Sequence, residues 1–275
     1  SEYNHSERTG DGNNHNINFF SDLYEIKTSL NHNSIIDGNS DGLIGFHFQN
    51  YDQGALGQEE SHLVHTRTSS FALFALESFN FDLFDLDVGG RLESVNLKNT
   101  SMEKGFFPGA FSSTIKREVF TNNTAFAGFD FTERAPNAVE LFANGPHHAL
   151  EQFEVGDSNM NVETSYNFSL GYSYNEGLDN LKIETYYNYI NDFVAADRDG
   201  TTTAVEGEDM NNIFFTQYNA LFTGLEVSGQ YAFAKISDFD IISNLMVDFL
   251  KGYRTSNDKA LSRIPQTKMN FGIQA

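Results

Sequence analysis

The feature that most limits what this chain can fold into is a strict two-residue alternation of apolar and polar side chains. In Tyr166–Tyr174 the even positions are Tyr166, Phe168, Leu170, Tyr172 and Tyr174, and the odd ones are Asn167, Ser169, Gly171 and Ser173. Successive side chains of a strand point to opposite faces, so this segment is predicted to be a strand with one apolar face. The pattern recurs. Leu181, Ile183, Thr185, Tyr187 and Tyr189 alternate with Lys182, Glu184, Tyr186 and Asn188. Leu225, Val227, Tyr231 and Phe233 oppose Glu226, Ser228 and Gln230, and Phe84, Leu86, Val88 and Leu92 oppose Asp85, Asp87, Arg91 and Glu93. Tyr24, Ile26 and Leu30 oppose Glu25, Lys27 and Ser29, and Met269, Phe271 and Ile273 oppose Lys268, Asn270 and Gly272. Less regular strands are expected at 42–49, 69–79, 111–119, 124–132 and 240–251. The reading is all-β, with about eleven strands in an antiparallel meander and no helix.

The connections alternate in length. Short turns are expected at Asn80–Asp82, Thr121–Thr124, Asn175–Asn180 and Ala234–Asp238, with a moderate one at 32–41. Long polar loops are expected at 50–67, 97–110, 133–162, 191–214 and 254–265. A soluble sandwich has no reason to gather its long connections at one end. An outer-membrane barrel has short periplasmic turns and long extracellular loops. In such a barrel the apolar faces meet lipid and the charged faces, such as Asp85, Asp87, Arg91 and Glu93, line a wet lumen. Tyr172, Tyr174, Tyr231 and Phe233 at strand ends suit an interfacial aromatic girdle.

Composition removes other classes. The 275 residues contain no Cys, which excludes a disulfide scaffold, a Cys-ligated zinc site and a thiol nucleophile. There are 38 acidic and 17 basic residues, a formal charge of -21, so a nucleic-acid backbone would repel the chain. The longest wholly apolar runs are pieces such as Phe71–Leu76, far below the roughly 20 residues of a spanning helix. An aromatic content of 14% gives enough surface to bury that disorder is a poor description. Ser1–Asn16 is polar and lacks the basic and apolar regions of a signal peptide, and Lys268–Ala275 stops inside an alternating pattern. The expectation is a mature form or fragment.

Residues 132–163 carry a resemblance. They include Arg134, Pro136, Glu140-Leu141-Phe142, Gly145, His147, Phe153-Glu154, Gly156 and Glu163, with Met160 at a position usually Leu. This run resembles the barrel region of TonB-dependent outer-membrane receptors. Gly89–Glu93, Tyr187–Val194, Gln217–Glu226 and Ser262–Pro265 resemble it too, in the family's order. The resemblance implies a barrel of about 22 strands around an N-terminal plug. Residues 1–275 would then be part of the barrel domain, with the plug and the C-terminal strands absent and two unpaired strand edges left open. The central loop resembles the branch taking up zinc or related metal cargo.

Site candidates follow from residue chemistry. His147 and His148 sit in the central loop with Glu151, Glu154 and Asp157 close behind. Neutral imidazoles and carboxylates suit zinc or another borderline metal, so His147, His148 and Glu151 are candidate metal or cargo contacts. His62 and His65, after Glu59 and Glu60, lie in another long loop that could converge on the first. Solvated loop is the alternative for all of them. Asp37–Gly42 matches half a calcium loop, but its twelfth position is Phe48, so an Asx-rich turn is expected. Asp197, Asp199, Glu206, Glu208 and Asp209 form an acidic loop, read as solvated surface or a weak cation site. Arg134, Pro136, Glu140, Gly145 and Gly156 are expected to be structural. No catalytic constellation or cofactor motif appears, and no enzyme is expected.

The reading is a TonB-dependent receptor importing a metal ion or chelate (zinc, iron-siderophore or haem class) across a bacterial outer membrane. Its expected partners are outer-membrane lipid, the cargo and, through the plug, the TonB complex. The isolated chain is expected not to transport. The alternatives are a smaller passive pore or outer-membrane enzyme of about 10–12 strands, and a soluble β-sandwich binding module.

Overall fold

The computed structural model describes residues 2–8, 14–33, 39–57 and 61–274. Fifteen strands among them form one sheet. They are β1 (Glu2–Arg8), β2 (Asn14–Asn33), β3 (Ser40–Gly57), β4 (Thr66–Asn80), β5 (Asp85–Lys98), β6 (Glu103–Phe106), β7 (Gly109–Phe120) and β8 (Asn123–Arg134). A one-turn helix α1 (Ala138–Phe142) precedes β9 (Asn144–His147) and β10 (Gln152–Val155). Then come β11 (Glu163–Glu176), β12 (Asp179–Val205), β13 (Glu208–Ile236), β14 (Phe239–Arg254) and β15 (Lys268–Gln274). Every one of the eleven expected strands is present. β1, β6, β9, β10 and α1 are additions.

The main path is an antiparallel meander, β1-β2-β3-β4-β5-β7-β8-β11-β12-β13-β14-β15. Among the described residues β1 pairs only with β2 and β15 only with β14, so the sheet is open at both ends. One continuous sheet is not a two-sheet sandwich, and the open path is not a small closed barrel.

Register carries the alternation from strand to strand. Ile26 stands beside Phe48 and Phe48 beside Phe71. Phe111 meets Phe131, and the neighbouring row runs Phe129, Phe168, Tyr187. Farther along, Leu225 meets Phe249 and Leu245 meets Phe271. Many of these side chains are exposed, among them Leu30, Leu92, Phe168 and Phe271. The opposite face is an ionic network. His47 Nε2 lies 2.7 Å from Glu25 Oε1, Arg91 Nη2 lies 3.3 Å from His47 Nδ1, and Arg91 pairs with Glu93 at 3.0 Å. Lys116 donates to Asp87, which also accepts from Ser78. Such a sheet is apolar toward one medium and wet on the other side.

Residues 191–214, expected as a loop, are mostly strand. β12 and β13 continue as a tall hairpin closed at Glu206-Gly207, whose φ values of 54° and 90° suit a tight primed turn. Pairing survives two register shifts, at Ile190/Phe193 and Arg198/Thr202. Above the apolar belt β13 is covered by β10 and the outer-loop core, with Met210 and Ile213 buried, so pairing no longer follows a lipid–water alternation. Likewise β3 continues to Gly57, into the loop expected from residue 50.

The central loop leaves and rejoins the wall at one rung, because Arg134 and Glu163 are direct partners on β8 and β11. Arg134 Nη1 donates to Glu140 Oε2 at 2.9 Å, and its Nε and Nη2 reach the Glu163 carboxylate at 3.4 Å. Glu163 Oε2 also accepts from the Val194 amide. Glu140 serves a second purpose. Its carboxylate accepts from the Asn137 amide while the Asn137 side chain accepts from the Glu140 amide, a capping box for α1. Beside it, Leu97, Ala138, Leu141, Phe142 and Met160 form a buried cluster, packed against Val64, Val95, Phe106, Val194 and Phe215. Pro136 is fully buried. The outer loops therefore have a small core of their own.

Gly156 locks this core. Its amide donates to the Ala143 carbonyl at 2.7 Å, and a Cβ there would stand 2.7 Å from the Leu141 carbonyl carbon. A side chain must displace backbone, at a cost of about 1–3 kcal/mol. Gly156→Ala is expected to speed limited proteolysis within 135–162 by roughly tenfold. Gly105→Ala, with open space around it, should leave the rate unchanged.

Candidate functional site

The structure brings together part of the predicted histidine set. β9 and β10 form a short hairpin, and β10 lies parallel against β13, Gln152–Val155 beside Asn211–Phe214. The segment after residue 60 packs on that hairpin. The His62 amide donates to the Pro146 carbonyl at 3.1 Å, and a Cβ on Gly145 would stand 2.6 Å from the Ser61 carbonyl oxygen. Gly145 thus lets two outer loops touch. The result is a stack of the His62 and His147 rings, centroids 4.3 Å apart and nearly parallel at 14°. Phe19 flanks His62 at 6.3 Å.

Burial and the neighbouring imidazoles of His147 and His148 push His62 down to about 4, against its hydrogen bond with Pro146. His62 is therefore neutral near pH 7, with Nδ1 buried and lacking a hydrogen-bond partner. His148 opens a 3-10 turn over His148–Leu150, directly after the stack. Glu151 caps that turn in a left-handed conformation, φ 52°, and is exposed. The buried carboxylate of this hairpin is instead Glu154, opposite Gly145 and 7% exposed. Burial raises its pKa, and the charges of His147 and Arg263 oppose that rise.

The other candidates sit elsewhere. His65 Nε2 lies 2.7 Å from Asp52 Oδ1, its ring stands edge-on to Phe20, and Arg67 holds the second Asp52 oxygen at 2.9 Å. His65 thus belongs to an ion-paired corner of β3 and β4, outside the stack. Asp157 accepts from the Asn159 amide and shapes its turn. Asp197 is paired with Arg254 at 2.8 Å, Asp199 accepts from Thr201, and Glu206, Glu208 and Asp209 belong to the hairpin tip. Glu59, Glu60 and the first two residues of the Asp37–Gly42 turn lie outside the described residues, and Ser40–Gly42 open β3. Among the described residues no group of three His, Asp or Glu side chains is placed to hold a metal ion. Sequence reasoning passed over Asn137 and Phe19. The Asn137-x-x-Glu140 spacing is legible as a capping box, whereas no local signal marks Phe19.

The stack has a pH consequence with a definite sign. The folded-state pKa of His62 lies below its ordinary 6.5, so the packed state binds the proton less readily than the open one. Its contribution is complete above pH 6.5 and declines as pH falls toward about 4. With the intrinsic slowing of exchange in acid divided out, amide protection at 61–65 and 144–148 is expected to fall between pH 7 and pH 4.5. His62→Phe, which keeps a ring but cannot titrate, should flatten that dependence.

A family model described as TonB dependent receptor-like, beta-barrel, matches residues 1–274. Solved structures share the fold at low identity. The structure titled Copper transporter OprC superposes with a TM-score of 0.73 at 17% identity, covering 94% of this chain and 42% of that one. The Serratia marcescens hemophore receptor HasR, in complex with its hemophore HasA and heme, gives 0.67 at 11%, covering 94% and 50%. The FrpB iron transporter from Neisseria meningitidis gives 0.61 at 13%, covering 95% and 41%. The chain thus spans half or less of the length of these three structures. Given the family match over nearly its whole length, the chain belongs to the TonB-dependent receptor-like β-barrels of the bacterial outer membrane.

Proposed function

We propose that this chain is barrel wall and outer loops of a receptor that imports a scarce metal, as ion or chelate, across the outer membrane. The plug and the coupling to the TonB complex are part of this reading. In it the chain binds and guides cargo and performs no catalysis. The observation that carries it is the stack of a neutral His62 on His147, which two outer loops build on a buried core of their own. Neutral imidazoles are donors for borderline metals and present flat faces to a planar chelate. With no three-residue ion site among the described residues, a chelate or an ion completing its shell from cargo-borne ligands fits better than a bare ion. His148 and Glu151, adjacent to the stack and at its rim, and His65 on the neighbouring loop are proposed as secondary contacts. The structural neighbours named for copper, heme and iron support the metal class and leave its member open.

The test is calorimetry and growth rescue with the full-length receptor, using zinc, copper, haem and a ferric siderophore in turn. One cargo is expected to bind and to rescue growth under scarcity. The His62→Ala/His147→Ala pair should weaken its affinity by roughly tenfold, about 1.4 kcal/mol. Absence of binding and rescue with all four, the histidines being intact, contradicts the metal reading.

A further inference from the structure

Near the short turns, the apolar face carries a row broken by a glycine. Register places Tyr174 beside Leu181, Leu181 beside Gly229, Gly229 beside Leu245 and Leu245 beside Phe271, on five adjacent strands. Where Gly229 lacks a side chain the row sinks into a groove of about 400 Å³. Leu181, Leu245 and Phe271 wall it, and Tyr174, Tyr231 and Asp179 stand at its turn-proximal end. Five strands at ~4.8 Å spacing span ~19 Å, somewhat more than half the ~30 Å hydrocarbon core. Because strands tilt by about 45°, a groove crossing them also runs obliquely through the leaflet.

Two observations identify the occupant. The groove is continuous with the lipid-facing surface, in the half nearest the periplasmic turns, so it opens to the inner leaflet. Its charge is one-sided: Asp179 is the only ionisable carboxylate lining it, and no Lys or Arg does. Glu176, two residues from Tyr174, accepts that tyrosine's hydroxyl and adds negative charge at the same end. The nearby cations are engaged elsewhere, Lys182 with Glu184 at 2.8 Å and Lys235 near Asp240 at 3.9 Å. An anionic head group would be repelled here, and a primary amine would be attracted.

We propose that this groove seats an acyl chain of an ethanolamine-type phospholipid over Gly229, with its amine at Asp179. The inference rests on the outer-membrane placement of the family and is independent of the cargo. Gly229 is what keeps the seat open. A Cβ there would lie 3.1 Å from the Asn180 carbonyl oxygen and 3.4 Å from Leu181 Cδ1, so a larger side chain is admitted with a small shift and fills the groove.

The test reconstitutes the protein in vesicles of equal phosphatidylethanolamine and phosphatidylglycerol, re-extracts it in mild detergent and counts bound lipid by native mass spectrometry. One phosphatidylethanolamine per chain is expected, retained at least about fivefold over phosphatidylglycerol. Gly229→Leu should lower that retention about fivefold, while Gly90→Leu, on the same face with nothing within 4 Å, should not. Asp179→Asn keeps an oxygen able to accept from the Ala232 amide, as Asp179 does, so the fold is preserved and only the head-group preference should vanish. Equal retention by the wild type and Gly229→Leu, or no preference between the two lipids in the wild type, overturns the proposal. Failure to enter vesicles at all overturns the membrane placement as well.

Discussion

At membrane depth each backbone N–H and C=O must find a partner within the protein, since hydrocarbon offers none. The rest of this structure depends on that constraint. It requires a continuous ladder, and the meander from β2 to β15 pairs each strand with its neighbours, leaving the outer edge of β15 without a partner among the described residues. Side-chain alternation then assigns the two faces, apolar to lipid and ionic to the wet interior. The same accounting holds above the belt. β13 pairs with β14 from Ala220 onward, and its upper edge at Asn211–Phe214 is taken by β10 from the central loop. That parallel pairing fixes the hairpin carrying His147.

The outer loops are ordered by a hierarchy of constraints. The Arg134–Glu163 rung clamps the two ends of the central loop together. Glu140 joins that clamp to the cap of α1, and α1 presents Leu141 and Phe142 to the buried cluster. Two glycines then permit backbone approach that any side chain would block, Gly156 against α1 and Gly145 against residues 61–62. Only after these steps can His62 lie on His147. The residues of the family-like motif act by building the platform on which the imidazoles stand.

Much of this is legible in the sequence where one physical rule dominates. Strands such as 166–174 and 181–189 stand where alternation puts them, because a half-lipid, half-water environment forces the pattern. The hairpin extensions at 191–214 escape notice because they face loops rather than lipid on one side, with Met210 and Ile213 buried under the outer loops, so lipid–water alternation carries no information there. The histidine pair is legible only as candidates. The separation of His62 from His65, and the burial of Glu154 in place of Glu151, depend on tertiary packing by Gly145 and β10. The acidic loop looks like a site in one dimension, but in the structure Asp197 is matched by Arg254.

The central claim is that alternation marks a lipid face and a wet face. It is testable directly, because the chain contains no Cys and single cysteines can be placed without background. Spin labels at each position from 166 to 174, in reconstituted vesicles, report collisions with oxygen and with a water-soluble nickel chelate. The account predicts a two-residue period, with oxygen favoured at Tyr166, Phe168, Leu170, Tyr172 and Tyr174 and the chelate favoured at the positions between them. Uniform accessibility along the segment, or a period near 3.6, would contradict it.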